Sequence, residues 1–558
     1  MLTQKINMPL VGFPVRLIIL IAACCLCCGG AAAQNTAAQA AAPLTDSLLL
    51  HDYQFVKQAD PWLTSQNAAA LTRLAAGSTA QAELSITGEQ GGLTDYWQSP
   101  KALTLHAGIE SYYRYSPRTV FFGSMSYRNF SGRDMGGSAF INPERQPFDI
   151  VEDSLTNTGN KHLDTYYLCG GFGTEVVKGL SLGAKIDFTA ANYAKYKDLR
   201  HKNKLMDLRV SAGLYAPLGT WGSAGAHYLY HRNTESLRFS TYGTSDKVYK
   251  ELISYANFTG HLEQFGQEGY TDKSREMPLV TDFNGLGAQF SIQKAPFSFF
   301  VAYDYEHGSG YYGRKSPYTI TYTDHHSDHH SLAVCLNHAL TTTSSHRLDF
   351  SMDIETLQND ANTYREMQNA SGATYYDYYT PVKTADKRWQ NYRLAYTLYL
   401  GTCETLPTWT IEAAMNWMKR RQTAYIFPYY RRQDLHNAEG MLSVSRNIVA
   451  SKGVWTVALN GSYQKGGGTP YEDLTFQAPS DKQTVPPSMD AYLYREYQYL
   501  TASQFSVGGS VKYAFIFPST HLKTYAKISL SHRKANESNE YSNGQNRTQA
   551  ILAIGCEF

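Results

Sequence analysis

Asp324 to His330 reads Asp-His-His-Ser-Asp-His-His, four imidazoles and two carboxylates within seven residues. Neutral imidazole nitrogens and carboxylate oxygens suit zinc, copper, nickel or iron. On an extended strand, His326, Asp328 and His330 would share a face; in a helical turn, His325 would meet His329 and His326 would meet His330. The candidate metal ligands are therefore His325, His326, His329 and His330, on what reads as a polar loop rising into a strand near Ser331. The plain alternative is a solvated loop. Asp349, Asp353, Glu355 and His106 are possible acids and bases, but no spacing brings them together. Ser506 to Ser510, Ser-Val-Gly-Gly-Ser, lacks the Gly-x-Ser-x-Gly order of a nucleophile elbow. No enzyme is read from these residues, and no cofactor is expected.

The elements that carry these side chains are strands. Leu103, Leu105, Ala107, Ile109, Tyr113 and Tyr115 alternate with Thr104, His106, Gly108, Glu110 and Arg114. Leu180 to Ala190, Met206 to Leu214, Leu348 to Ile354 and Trp455 to Tyr463 repeat the pattern, which has the two-residue period of a strand whose faces see different surroundings. The chain ends the same way, with Ala550, Leu552, Ile554, Cys556 and Phe558 at alternate positions.

Composition narrows the setting. The 558 residues include 43 tyrosines, 24 phenylalanines and 43 glycines, which suits a chain of strands and turns. A net charge of +2 gives no reason to expect a nucleic-acid partner. Leu17 to Cys28 is the only long apolar run; Lys5 and Arg16 precede it, and Ala31 to Gln34 follow. That is a secretory signal peptide over residues 1–33, cleaved before Gln34. Ile21 to Cys24 could alternatively be a lipoprotein box, but apolar residues continue past Cys24. Cys24, Cys25, Cys27 and Cys28 leave with the leader, and Cys169, Cys335, Cys403 and Cys556 are too dispersed for a disulfide framework or a zinc site.

Residues 34–79 are weakly patterned and read as a periplasmic N-terminal segment, with a barrel over residues 80–558. Short connections such as Ser116 to Arg118, Val177 to Gly179 and Ala450 to Gly453 alternate with long ones at Ser131 to Lys161, Asn233 to Thr281, Asn359 to Lys387 and Gly466 to Leu500. Short turns on one side and long loops on the other are the arrangement of outer-membrane barrels, whose closure pairs every backbone group. The expected fold is all-β: a transmembrane antiparallel up-and-down β-barrel of about 18 strands (range about 14–18) with both ends in the periplasm. Trp409 and Trp417, like Trp455 and Tyr463, lie eight residues apart on one face. Each pair would span roughly 20 Å of height, close to the spacing of aromatic girdles.

A last strand ending in phenylalanine resembles the C-terminal signal read by the outer-membrane assembly machinery, which makes Phe558 the expected assembly signal. The whole pattern resembles uncharacterised outer-membrane barrels of Bacteroidota, in Gram-negative cells. Ser65 to Leu71, Ser-Gln-Asn-Ala-Ala-Ala-Leu, is similar to the Asn-Pro-Ala-Gly-Leu segment of long-chain fatty-acid transporter type barrels, with Ala68 where proline would stand.

The inward face of the strands supplies lumen-lining candidates: Glu110, Lys185, Asp187, Asp207, Arg209, Asp349, Asp353, Glu355, Arg393, Lys523 and Lys527. Both signs occur at neighbouring positions and would pair across strands. Such a lining is wrong for a fatty-acid conduit and suits a hydrated or salt-bridged lumen. The expected function is porin-like or transport-associated in the cell outer membrane, with the lipid bilayer as partner and a small polar solute as cargo. The alternative is surface binding or adhesion by tyrosine-rich extracellular loops, Tyr375 to Tyr379 and Tyr492 to Leu500.

Overall fold

A computed structural model describes residues 48–75, 77–152, 157–243, 246–266, 269–517, 522–537, 540–541 and 544–558. The leader expected over residues 1–33 lies outside them. The described chain contains strands β1 (Thr79–Gln90), β2 (Lys101–Ser116), β3 (Thr119–Met135), β4 (Asp149–Glu152), β5 (Gly159–Val177), β6 (Leu180–Lys195), β7 (Arg200–Leu218), β8 (Gly222–Ser240), β9 (Lys250–Ala256), β10 (Thr259–Gln264), β11 (Met277–Lys294) and β12 (Phe297–Ser316). They are followed by β13 (Thr319–Ala339), β14 (Ser345–Ala361), β15 (Tyr364–Gln368), β16 (Thr374–Tyr378), β17 (Val382–Leu400), β18 (Trp409–Ile426), β19 (Tyr429–Ala450), β20 (Gly453–Thr475), β21 (Gln504–Phe517), β22 (Leu522–Ala535) and β23 (Asn546–Glu557). Two α-helices, α1 (Tyr53–Ala59) and α2 (Asp490–Thr501), lie outside the strands.

Eighteen strands form one antiparallel sheet that closes where β23 pairs with β1, Gln81 opposite Glu557. Phe558 extends the seam by one residue: its amide donates to the Ala80 carbonyl at 3.0 Å, and the Ala80 amide donates back at 2.6 Å. Closure leaves no open edge and so pairs the polar backbone of every strand. The fold is the all-β barrel that the alternation demanded. β4, β9 and β10 form a separate three-stranded sheet, and β15 with β16 a hairpin.

The outward face is apolar around the barrel. Leu103, Met125, Leu168, Ile186, Leu214, Leu286, Leu394, Met415, Leu459, Val507, Ile528 and Leu552 are all exposed there. An exposed apolar band this continuous is stable only against something other than water. Tyrosines border its upper side with their hydroxyls turned to polar partners: Tyr127 donates to Asp164 and Tyr305 to Asp328, both at 2.7 Å, and Tyr230 to Asp282 at 2.8 Å.

Connections at the end holding Phe558 are short. At the opposite end three of the nine are also tight, between β6 and β7, β12 and β13, and β18 and β19. Several strands outrun their sequence estimate: β8 continues to Ser240, and β20 to Thr475. Asp324 to His330 lies wholly inside β13, so the loop expected there is strand. Above the apolar band both faces of a strand are polar, and the two-residue signal that marks a strand disappears.

Candidate functional site: a lumen closed at both ends

The lower mouth is filled by residues 48–74. Asp52 caps α1 by accepting from the Phe55 amide at 2.8 Å. From α1, Tyr53 donates to Glu110 at 2.5 Å and Lys57 pairs with the same carboxylate at 2.7 Å. Trp62 is buried against Tyr215 and Phe300, and its indole N–H donates to Ser291 at 3.0 Å. Asn67 is 1% exposed; its amide nitrogen donates to the Leu214 carbonyl at 2.8 Å and to Gln289 at 3.0 Å, while its oxygen accepts from the Ala69 amide at 3.2 Å. The wall makes room with glycine: a Cβ on Gly183 would stand 2.2 Å from the Ala69 nitrogen, and one on Gly213 would stand 2.2 Å from the Asn67 side-chain oxygen. The segment is therefore fitted to the wall rather than laid across it. Lys523 bonds the His51 carbonyl and pairs with Glu557 at 3.0 Å, and Arg347, paired with Asp349 at 2.6 Å, reaches the Gln58 carbonyl.

The upper mouth is filled by the three-stranded sheet and α2. Ile150 faces Ile253 in the β4–β9 pairing, and both are fully buried with Phe148, Phe140 and Tyr312. Asp149 accepts from Tyr96 at 3.0 Å and Ser138 at 2.5 Å. Burial pushes its carboxyl up to about 6 against those hydrogen bonds. Glu263 accepts from the Tyr270 and Thr271 amides at 2.9 and 3.0 Å, and burial still pushes it up to about 7. Arg145, beside β4, pairs with Asp353 at 2.9 Å and Glu355 at 2.6 Å. Lys387 donates to the Gln146 carbonyl at 2.9 Å, and Asn257 to the Gln422 carbonyl at 3.0 Å. Tyr492 to Leu500, expected as a tyrosine-rich surface loop, folds instead into α2, with Tyr492 and Leu493 buried and Glu496 bonded to Arg420 at 2.8 Å.

Between the plugs runs a row of imidazoles and carboxylates. Asp207 accepts from His231 at 2.8 Å, Glu306 stands 3.8 Å from His231 and 3.9 Å from His329, and His329 meets Asp353 at 2.5 Å. His227 lies 3.1 Å from Asp304. Of these, Glu306, His329, His227 and Asp304 border a cavity of about 190 Å³ that Gln66 of the lower plug also lines. Arg209 approaches Asp207 at 3.7 Å, Lys185 pairs with Asp187 at 3.2 Å, and Arg393 pairs with Glu412 at 2.7 Å. Lys527 lies on β22 opposite Lys512 of β21.

The histidine cluster does not converge. Strand geometry sends His325 and His329 to the lumen, where His325 is buried against Thr281 at 2.8 Å, and His326 and His330 to the outside, where His330 meets Tyr303 at 2.8 Å. The barrel wall separates the two pairs. Among the described residues, no three His, Cys, Asp or Glu side chains are placed to hold a metal ion. His325 and His329 thus stand apart from His326 and His330, which share the outer face with Asp328 as the strand reading has it. Arg145, Asn67 and the Arg420 to Glu496 pair escaped sequence reasoning; of these, only Asn67 carried a signal, inside Ser65 to Leu71.

Similar solved structures include the ferric preacinetobactin receptor BauA from Acinetobacter baumannii, at 8% identity over 87% of this chain and 80% of that one, with a TM-score of 0.38. The alcaligin outer membrane receptor FauA from Bordetella pertussis gives 10% identity over 86% and 76%, with a TM-score of 0.39. The outer membrane transporter YddB from Escherichia coli gives 7% identity over 86% and 81%, with a TM-score of 0.36. No curated protein matches the sequence. Residues 68–558 match a family of unknown function (DUF6850), and the chain belongs to that family.

Proposed function

We propose that this member of the family is an outer-membrane barrel serving solute transport through a lumen that is shut at rest. The apolar outer band with its tyrosine border supports a bilayer setting, with the short-turn end and Phe558 in the periplasm. Barrels of 16 to 18 strands ordinarily leave an aqueous channel unless something fills it. The observation that carries the reading is that both mouths are filled by the chain's own segments, each seated by specific hydrogen bonds on a wall of mixed charge. Passage then requires a plug to move, and the balanced lining favours small polar solutes with little preference for sign. The role is that of a conduit rather than an enzyme.

Planar-bilayer recording tests this. The wild-type barrel should conduct far below an unplugged 18-strand pore. Asn67→Ala, which strips two side-chain donations from the lower plug at about 1 kcal/mol each, should raise the frequency of open events. A steady, large wild-type conductance would refute the closed lumen, and so would a strongly anion- or cation-selective one refute the mixed lining.

A second reading, surface binding, is favoured by one feature. The β15–β16 hairpin sets Tyr364 edge-to-face against Tyr376 at 5.5 Å and leaves Tyr378 and Tyr379 exposed, rigid amphipathic contact area of the kind binding loops use.

A further inference from the structure

Across the seam where β23 meets β1 lies a second cavity, of about 450 Å³, well apart from the histidine row. It sits toward the long-loop end, beneath residues 91–99 and the last turn of α2. Three guanidinium groups face it, those of Arg128, Arg533 and Arg547, against the single carboxylate of Glu89. That carboxylate is already committed: Arg547 holds one oxygen at 3.2 Å and Gln549 the other at 3.0 Å. Arg533 has only a distant partner, Glu439 at 3.7 Å. Among the described residues Arg128 has neither an ion pair nor a hydrogen bond to its side chain, although it is exposed only to the lumen side of β3.

A guanidinium presents a planar fork of donors matched to an oxyanion, and leaving it unmatched within a walled cavity wastes that complementarity. The rings of Trp97, Phe130 and Tyr499 form part of the same wall. The volume falls in the range of small-molecule sites, and the lining is of their usual kind, aromatic with a few convergent donors.

We propose that this cavity binds an anionic solute with a planar apolar body, the smallest example being an aromatic monocarboxylate. Its carboxylate is received by Arg128, its ring lies among Trp97, Phe130 and Tyr499, and Arg533 adds positive charge from the other side of the cavity. The site holds whether the barrel passes its ligand or only captures it, so it goes beyond the transport reading and is tested without any measurement of flux.

The experiment is calorimetric titration of the full-length barrel in a non-ionic maltoside detergent, with phenylacetate as probe and 2-phenylethanol and inorganic phosphate as its neutral and ring-less counterparts. Phenylacetate should bind measurably better than either. Arg128→Gln should weaken it about 10- to 100-fold, the usual loss of a charged hydrogen-bond partner, Arg128→Lys should recover part of that loss, and Trp97→Ala should weaken it several-fold by removing a ring from the wall. Heat-modifiable electrophoretic mobility establishes that each variant is a folded barrel, and a variant that fails this check is replaced by Arg533→Gln, for which weakening is again expected. No binding of phenylacetate by the wild type overturns the proposal. So does equal binding of 2-phenylethanol or phosphate, or an affinity indifferent to all the arginine substitutions.

Discussion

Raising the pH should loosen the upper plug while leaving the barrel standing. Asp149 and Glu263 are buried in the inner sheet, with carboxyls raised by burial to about 6 and about 7 from ordinary values of 3.8 and 4.5. Both sit above the values they take once the sheet opens to water, so between about pH 4 and pH 7 the seated plug holds more protons than the open one. The stabilisation is complete below about pH 4 and is lost as pH climbs through 6 and 7. Between about pH 5 and pH 8, Glu263 loses roughly 2 to 3 kcal/mol and Asp149 roughly 1 to 2 kcal/mol, together on the order of several-hundred-fold in the opening equilibrium. Hydrogen exchange followed by mass spectrometry reads this directly. Protection of residues 250–264, corrected for the intrinsic rate, should fall by that factor, while residues 62–73 of the lower plug stay protected. Glu263→Gln should reduce the fall to about tenfold, the share left to Asp149. Protection that is flat or rises with pH would refute the argument.

Two further outcomes follow from particular contacts. Glu496→Ala strands the buried Arg420 guanidinium without its partner, a loss of about 3 to 5 kcal/mol. Trypsin should then cut the intact barrel at Arg495 of α2 far faster than the wild type, whereas the double replacement Arg420→Met with Glu496→Leu should restore most of the resistance. Ending the chain at Glu557 deletes the two backbone hydrogen bonds to Ala80 and the terminal ring together; surface levels should drop sharply in a quantitative cell-surface assay, and undiminished levels would dismiss Phe558 as an assembly signal.

The barrel was legible because its alternation is imposed by two solvents. Leu103 and Tyr113 face one environment and Thr104 and Glu110 another, and that contrast recurs strand after strand. Where the contrast ends, the reading fails. Asp324 to His330 has polar residues on both faces, so nothing in its sequence separates strand from loop, and a loop allowed its histidines to converge where the strand divides them. β4 is four residues long and buried on both sides, too short to show a period inside a long connection. Tyr492 and Leu493 look like surface-loop residues until their partners, Tyr96 and Phe258, are brought from hundreds of residues away. The sign and mixture of the lumen charges were visible, but their partners were not: Arg145, which meets Asp353 and Glu355, comes from a connection rather than from a neighbouring strand.

The seating of the lower plug also sets an order of events during assembly. Asn67 reaches Leu214, 147 residues on, and Gln289, 222 residues on; Trp62 reaches Ser291 across 229 residues. Contacts this distant in sequence form late, because the intervening chain must first be organised. The pocket for residues 62–69 does not exist until β7, β8 and β11 stand side by side, and eight of the eighteen wall strands lie before or within that group. A barrel caught before that moment has its wall under construction and nothing in its bore. For a cell, the hazardous species is then the half-built conduit rather than the finished one, and a fast-docking N-terminal segment shortens the time during which the envelope leaks.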